Sequence, residues 1–290
     1  MTTTDLEAEV QELRAQLRAR ETEVERLAQE LAETNRGVVA LYAELDDRAA
    51  ALGQLSDTKT RFLSDMSHEL RAPLASVINL TRLLLAYSDG PLTAEQEYQV
   101  TLIQRSAQSL ADMVNDLLDI AKIEARKIEL RIETVPVSEI FAGLRGLFRP
   151  LATNERVEFI VEDPPESIVL VTDAQRIAQV LRNFISNALK FTDAGAVRVT
   201  AHPLDDGRIS LDVADTGIGI APADQSRIFE DYTQVDGPIQ KRVRGTGLGL
   251  PLTRKLALLL GGEIRLESRV GEGSRFSLIV PRIHPTGQGA

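Results

Sequence analysis

A helical N-terminal portion joined to an α/β layer with a mixed sheet is predicted by three features of this chain of 290 residues. Apolar residues first recur on a seven-residue comb, then at helical spacing in two arms around a turn. Finally they appear in short β-rich runs that alternate with helical stretches. The expected class is α plus α/β: an N-terminal coiled coil, a helical hairpin that dimerises into a four-helix bundle, and an α/β sandwich. The expected boundaries are 1–58, 59–128 and 129–283, with 284–290 a disordered tail.

Val10, Leu17, Val24, Leu31, Val38, Leu45 and Leu52 fall on one comb. Leu6, Leu13, Leu27, Leu41, Leu55 and Phe62 fall on a second, offset by three. These are a and d positions of a left-handed coiled coil, with mostly Glu, Arg, Gln and Ala between them. Arg20, Thr34 and Arg48 are polar d residues that weaken the seam, and Gly37 and Gly53 each cost about 1 kcal/mol of helix propensity relative to Ala. An amphipathic helix lying on a core would share this spacing, but the unbroken row of a residues favours self-pairing. Pro73 is the first proline, so one continuous helix is expected to run into the next region.

That region, about 62 to 128, reads as a hairpin. Phe62, Met66, Leu70, Leu74, Val77, Leu80 and Leu84 line its first arm; Tyr98, Leu102, Leu110, Met113, Leu117 and Ile120 line its second. Ser88-Asp89-Gly90-Pro91 is turn chemistry, and Thr93 with Gln96 three residues later predicts a capping box. Two such helices bury little alone, which is why a dimeric bundle is expected.

Beyond about 129 the spacing predicts strands at 157–161, 168–171, 197–201, 209–213, 263–266 and 276–280, and helices at 137–151, 173–190 and 247–260. The turn signal Asp205-Asp206-Gly207 implies an antiparallel hairpin, hence a mixed sheet with helices on one face.

Composition excludes several functions. There is no Cys, which removes disulfides and thiolate chemistry, and the three His (His68, His202, His284) are too dispersed for a metal cluster. The 33 basic and 43 acidic residues give a formal charge of −10, a poor surface for coating nucleic acid. The longest stretch without a charged residue, Ala72 to Thr81, is far short of the ~20 apolar residues of a membrane helix, and the N-terminus is no signal peptide. A soluble, cytoplasmic protein is expected.

Four segments carry chemistry. At about 100° per residue, His68 stands well away from the Met66 and Leu70 face, so its imidazole is expected to face water, with Glu69 beside it and Pro73 bending the helix nearby. Asn183 and Asn187 are spaced i, i+4, with Lys190 three further on, so two amides and an ammonium share one helix face. Neutral amide oxygens suit a hard cation whose charge a polyphosphate already balances. Asp215-Thr-Gly-Ile-Gly ends a strand and offers a carboxylate to an amine such as adenine's. Gly245-Thr-Gly-Leu-Gly249 enters a helix, where backbone amides collect anions, and Lys241, Arg242 and Arg244 precede it. Each has an ordinary reading: a solvated histidine, a polar helix face, a plain strand–turn. The polar segment before Gly245 lacks the strand that a dinucleotide-binding motif requires.

Their order resembles the histidine kinases of two-component systems, whose ATP-binding half shares a superfamily with gyrase, heat-shock chaperones and mismatch-repair ATPases. Ser67-His-Glu-Leu-Arg-Ala-Pro73 is similar to that family's phosphoacceptor box, Asn183 to Lys190 to its N box, and Asp215 to Gly219 to its first glycine box. Ile228 to Asp236 resembles its F box, Gly245 to Gly249 its second glycine box and Gly271 to Phe276 its terminal glycine turn. The resemblance covers about 59 to 283 and implies a Bergerat-type ATP-binding fold.

It also implies roles. His68 would be phosphorylated from ATP, with Glu69 handling the imidazole proton, and the phosphoryl group would pass to an Asp of a response regulator. Asp215 would hold adenine, with Gly217 and Gly219 shaping its loop. Asn187 would ligate Mg²⁺ beside Asn183. Lys190, Arg244 and the backbone of Gly245, Thr246, Gly247, Leu248 and Gly249 would cradle phosphates. The implied partners are a second copy, a response regulator receiver domain and an upstream protein on the coiled coil, with no nucleic acid and no membrane span. Two departures stand out: Ala72 replaces a hydrogen-bonding residue used for dephosphorylating the regulator, and Asp231-Tyr232 replaces the usual Pro-Phe.

Overall fold

The computed structural model describes residues 3–87, 90–125, 127–150, 154–165, 168–230, 233 and 247–285; along the first helix several side chains, that of His68 among them, lie outside the described residues. Packing divides the chain into two units, Met1–Thr58 and Lys59–Ala290.

The first unit lies wholly within the span of α1 (Thr3–Leu85) and the two residues before it. The comb residues described there, including Leu17, Val24, Leu31, Leu41 and Leu45, are all exposed in the single chain, Leu31 at 62%. Leu6, Val10, Leu13 and Leu52 fall outside the described side chains. Arg26–Glu30 and Glu44–Arg48 are i, i+4 ion pairs at 2.7 and 2.6 Å, each worth only a few tenths of a kcal/mol on an exposed helix.

In the second unit α1 continues to Leu85 with Pro73 inside it, so the proline costs one backbone hydrogen bond without ending the helix. The second arm is α2 (Ala94–Glu124). Its expected capping box is present: the Thr93 hydroxyl accepts from the Gln96 N–H at 3.3 Å, and Gln96 Oε1 accepts from the Thr93 N–H at 2.9 Å. Lys59–Glu124 (3.1 Å) and Arg71–Asn115 (3.2 Å) tie the arms together. Of the expected turn, Ser88 and Asp89 fall outside the described residues.

The α/β part comprises β1 (Glu133–Pro136), α3 (Val137–Phe148), β2 (Val157–Val161), β3 (Val169–Thr172), α4 (Ala174–Phe191), β4 (Gly195–Pro203), β5 (Ile209–Asp215), α5 (Gly249–Leu259), β6 (Glu263–Arg269) and β7 (Gly273–Val280). Five strands form one sheet in the order β2-β4-β5-β7-β6. It is mixed, as expected: β2 runs parallel to β4 and the remaining pairs are antiparallel. Val197, Val199, Leu211, Val213 and Leu278 share one core with Ile177, Val180 and Phe184 of α4 and Leu252 and Leu256 of α5. The Phe184 and Phe276 rings lie 5.2 Å apart. On β6 the side chains alternate, with Glu263, Arg265, Glu267 and Arg269 exposed and Ile264 and Leu266 packed against the core.

Four expectations need correction. Helix α3 ends at Phe148 rather than 151, and 151–153 lie outside the described residues. Helix α5 starts at Gly249 rather than 247, because Gly247 takes φ +71°. Strand β1 was not anticipated: it has only four residues, one of them Pro136, and it exists by pairing antiparallel with β3, Glu133 opposite Thr172. The tail is not free from 284 onward. His284 is buried, its N–H donates to Val171 O at 2.8 Å, and its Nε2 lies 3.0 Å from Leu259 O; residues 286–290 are outside the described set.

Residues 59–290 pack as one unit, in which the hairpin touches the α/β core. Ile120 belongs to the α/β core, and Leu117 and Ile123 pack against it.

Candidate nucleotide and phosphoacceptor site

Helix α4 is set in place at its start. Asp173 caps it, one carboxylate oxygen accepting from the Arg176 N–H (3.0 Å) and the other from the Arg131 N–H (3.0 Å). Its apolar face is buried in the core, which fixes the rotation of the half-buried stripe that flanks it: Arg176, Asn183, Asn187 and Lys190. Asn187 Nδ2 donates to Asn183 Oδ1 at 3.1 Å. This bond orients both amides and leaves the Asn187 carbonyl oxygen available to a ligand. Lys190 stands over the Phe191 ring at 5.0 Å, and burial holds its ammonium below the usual lysine range.

The C-terminal end of α4 meets the loop after β5. The Ile218 N–H reaches Phe191 O at 3.3 Å, and Gly217 donates its N–H to Asp215 Oδ1 at 2.8 Å. Burial raises the Asp215 pKa, opposed by hydrogen bonds from the backbone of Gly217 and Ser274. Gly219 has φ +67°, and a Cβ there would collide with Arg269 O, so only glycine lets this loop lie against the β6–β7 turn. The third wall is the start of α5. A Cβ on Gly249 would collide with Asn183 Nδ2, and among the described residues no side chain caps the helix.

Asn183, Asn187, Lys190, Asp215, Gly217, Gly219, Gly247, Leu248 and Gly249 are therefore brought to one place by α4, the β5 end and the α5 N-terminus. Arg244, Gly245 and Thr246 lie outside the described residues, as do Asp231 and Tyr232 of the expected F box. Position 68 is helical, but the expectation that its imidazole faces water concerns a side chain outside the described set; Ser67 beside it is buried and Glu69 is exposed.

Sequence reading missed Thr216, Gln225, Ser268 and Asp119. Thr216 Oγ1 accepts from the Ala196 N–H at 3.0 Å and ties β4 to the loop. Asp119 on α2 accepts from Arg176 (3.2 Å) and Gln179 (2.8 Å), two turns and one turn before Asn183. Glu124 accepts from Lys255 of α5 at 2.7 Å, and this hydrogen bond is the main reason its pKa is lowered. Apart from Thr216, which lies inside the Asp215–Gly219 segment, none of these belongs to a glycine-rich or paired motif, so spacing carries no signal for them.

The arrangement suits a nucleotide: a half-buried acid for an amine, amides and a lysine for phosphates. Among the described residues no group of three His, Cys, Asp or Glu could hold a metal, and no helix is long and apolar enough to cross a membrane. A Mg²⁺ ion would fit the Asn187 oxygen, since this ion prefers few protein ligands together with phosphates and water.

Two family models match the chain. Residues 58–126 match the His Kinase A (phospho-acceptor) domain, and 172–284 match the histidine kinase-, DNA gyrase B-, and HSP90-like ATPase. Histidine protein kinase DivJ of Caulobacter vibrioides is 39% identical over 82% of this chain and 39% of its own length. The circadian input-output histidine kinase CikA of Synechococcus elongatus is 35% identical over 82% of this chain and 32% of its own. The chain thus spans well under half of these relatives. Among solved structures, full-length ShkA in complex with AMPPNP is 35% identical with a TM-score of 0.61, over 76% of this chain and 45% of that one. With both domains present in order, the chain belongs to the sensor histidine kinases.

Proposed function

We propose that this chain is an ATP-dependent protein-histidine kinase that phosphorylates its own His68 and passes the phosphoryl group to an aspartate of a response regulator. The observation that carries this reading is the convergence of Asp215, Asn187 and the glycine-led start of α5 in the unit that also contains the phosphoacceptor-domain match. The AMPPNP complex of ShkA supports an adenine nucleotide as the donor.

Asp215 receives the adenine amine, and the α5 amides with Lys190 hold phosphate oxygens. Asn187 would hold Mg²⁺ through its amide oxygen, and the ion would supply charge neutralisation on the phosphates. An imidazole nitrogen of His68 attacks the γ-phosphorus; a P–N bond forms, the bond to the β-γ bridging oxygen breaks, and ADP leaves. Glu69 takes the proton from the imidazole. Little covalent assistance is needed, because the phosphoryl transition state is loose and positioning dominates.

The partners are a second copy and a receiver domain. The exposed Phe62, Leu70, Val77, Leu80, Leu102 and Leu110 of the hairpin, and the exposed comb of the first unit, support self-pairing. The functional division is 1–58 for input, where an upstream protein acts on the coiled coil, 59–128 for dimerisation and phosphotransfer, and 129–283 for ATP binding, all in the cytoplasm. Ala72, lacking a hydrogen-bonding side chain, makes phosphatase activity weak.

The test is incubation of the full chain with γ-labelled ATP. Acid-labile, base-stable label that disappears in His68→Ala and transfers to a receiver domain supports the proposal. Nucleotide binding without label on the chain would instead make it a conformational scaffold.

A further inference from the structure

We infer that Ser268 and Gln225 are positioning residues for adenine recognition: they lace the loop after Asp215 onto the β6–β7 turn, and this lacing fixes the Asp215 carboxylate. The inference rests on the reading that Asp215 receives the adenine amine.

A serine hydroxyl has one proton and two acceptor sites, and Ser268 uses all three. Its Oγ accepts from the Ile220 N–H at 2.8 Å and donates to Gly273 O at 3.0 Å. It also lies 2.9 Å from Ser274 Oγ; with the Ser268 proton committed to Gly273, Ser274 is the donor there. Gln225 likewise spends both protons of its amide, Nε2 donating to Ile220 O and to Ser268 O, each at 3.0 Å. Ile220 is therefore gripped at both its N–H and its C=O by side chains from two other segments. The Gly271 N–H adds a backbone bond to Ile218 O at 2.8 Å.

The two laced segments both reach the site. Asp215 accepts from the Gly217 N–H on the loop side, and its backbone pairs with Ser274 at the start of β7, where the turn ends. The segments that Ser268 and Gln225 connect thus flank Asp215 on both sides, one donating to its carboxylate and the other pairing with its backbone. If the connection is cut, the Gly271–Ile218 backbone bond and the β5–β7 pairing remain, but the loop that carries the Gly217 donor is held less tightly and the direction of the carboxylate is less well fixed. Ser268 and Gln225 act through the loop, so their effect falls on the base of the nucleotide rather than on its phosphates.

Base selectivity separates positioning from simple turn stability. Guanine carries a carbonyl oxygen where adenine carries its amine, so it gains nothing from a correctly aimed carboxylate. In the full-length chain, dissociation constants for Mg–ATP and Mg–GTP are measured for wild type, Ser268→Ala, Ser268→Thr and Gln225→Met. The expected result is ATP binding weakened about tenfold in Ser268→Ala, the scale of one lost hydrogen bond, with GTP binding changed less than about twofold. Ser268→Thr, which keeps the hydroxyl, retains most of the preference for ATP. Gln225→Met moves the ratio in the same direction and carries the test if Ser268→Ala does not fold. An unchanged ATP-to-GTP ratio, or equal weakening of both nucleotides, overturns the inference. A wild-type chain that binds both nucleotides alike, or neither, overturns the Asp215 reading itself and the inference with it.

Discussion

Asn183 stands so close to Gly249 that no side chain fits between them: the amide of the α4 residue occupies the space a Cβ would need at the first residue of α5. The two helices at this corner of the candidate site are thereby held backbone against side chain, with Asn187 oriented in turn through Asn183.

Gly249→Ala is expected to push Asn183 aside and turn Asn187 away. Alanine raises intrinsic helix propensity, so a fold defect from propensity is not expected. Mg–ATP affinity should fall at least about tenfold while the unfolding midpoint changes little. Titration of the variant alongside a thermal melt checks both halves.

Asp116 on α2 has its pKa pushed up from its ordinary 3.8 to about 6, chiefly by burial and then by Asp112 and Asp119. The folded chain binds this proton more tightly than the unfolded chain does, so between about pH 4 and 6 stability falls as pH rises. Asp116→Asn removes that loss. With allowance for solvent screening, the variant should be about 1 kcal/mol more stable than wild type at pH 7.5 and no more stable below about pH 4. Urea unfolding at the two pH values is the measurement; an equal advantage at both would contradict the assignment.

His284 closes the chain onto β3 and the end of α5. His284→Ala empties a buried position and removes the ring nitrogen beside Leu259 O, and should cost about 2–3 kcal/mol. Truncation after Pro285 should cost nothing measurable. Chemical denaturation of both forms decides.

The comb in the first unit makes a prediction about phase. Excising residues 24–30 keeps the a and d positions in step with the rest of α1, whereas excising 24–27 rotates them. Autophosphorylation should persist in the first deletion and change severalfold in the second. Equal rates would remove helix register as the input.

The helices and the residues that the fold brings together at the candidate site were legible because each carries a local physical signal. Asn183, Asn187 and Lys190 share a helix face, Asp215 ends an apolar strand, and Thr93 with Gln96 forms a box readable from spacing alone. Strand β1 was not legible, because four residues with a terminal proline form a strand only when β3 lies beside them. Ser268 and Gln225 were invisible for the same kind of reason: their partners stand 48 and 5 residues away at Ile220, and an isolated Ser or Gln has no periodicity. His284 looked like part of a polar tail because its burial comes from β3 and α5.

The charged rungs along β6 have a consequence for how copies of this protein meet. As the outermost strand it offers a free row of peptide groups, yet Glu263, Arg265, Glu267 and Arg269 make a flat second ribbon an unwelcome neighbour. Strand exchange and fibre growth are discouraged at that rim.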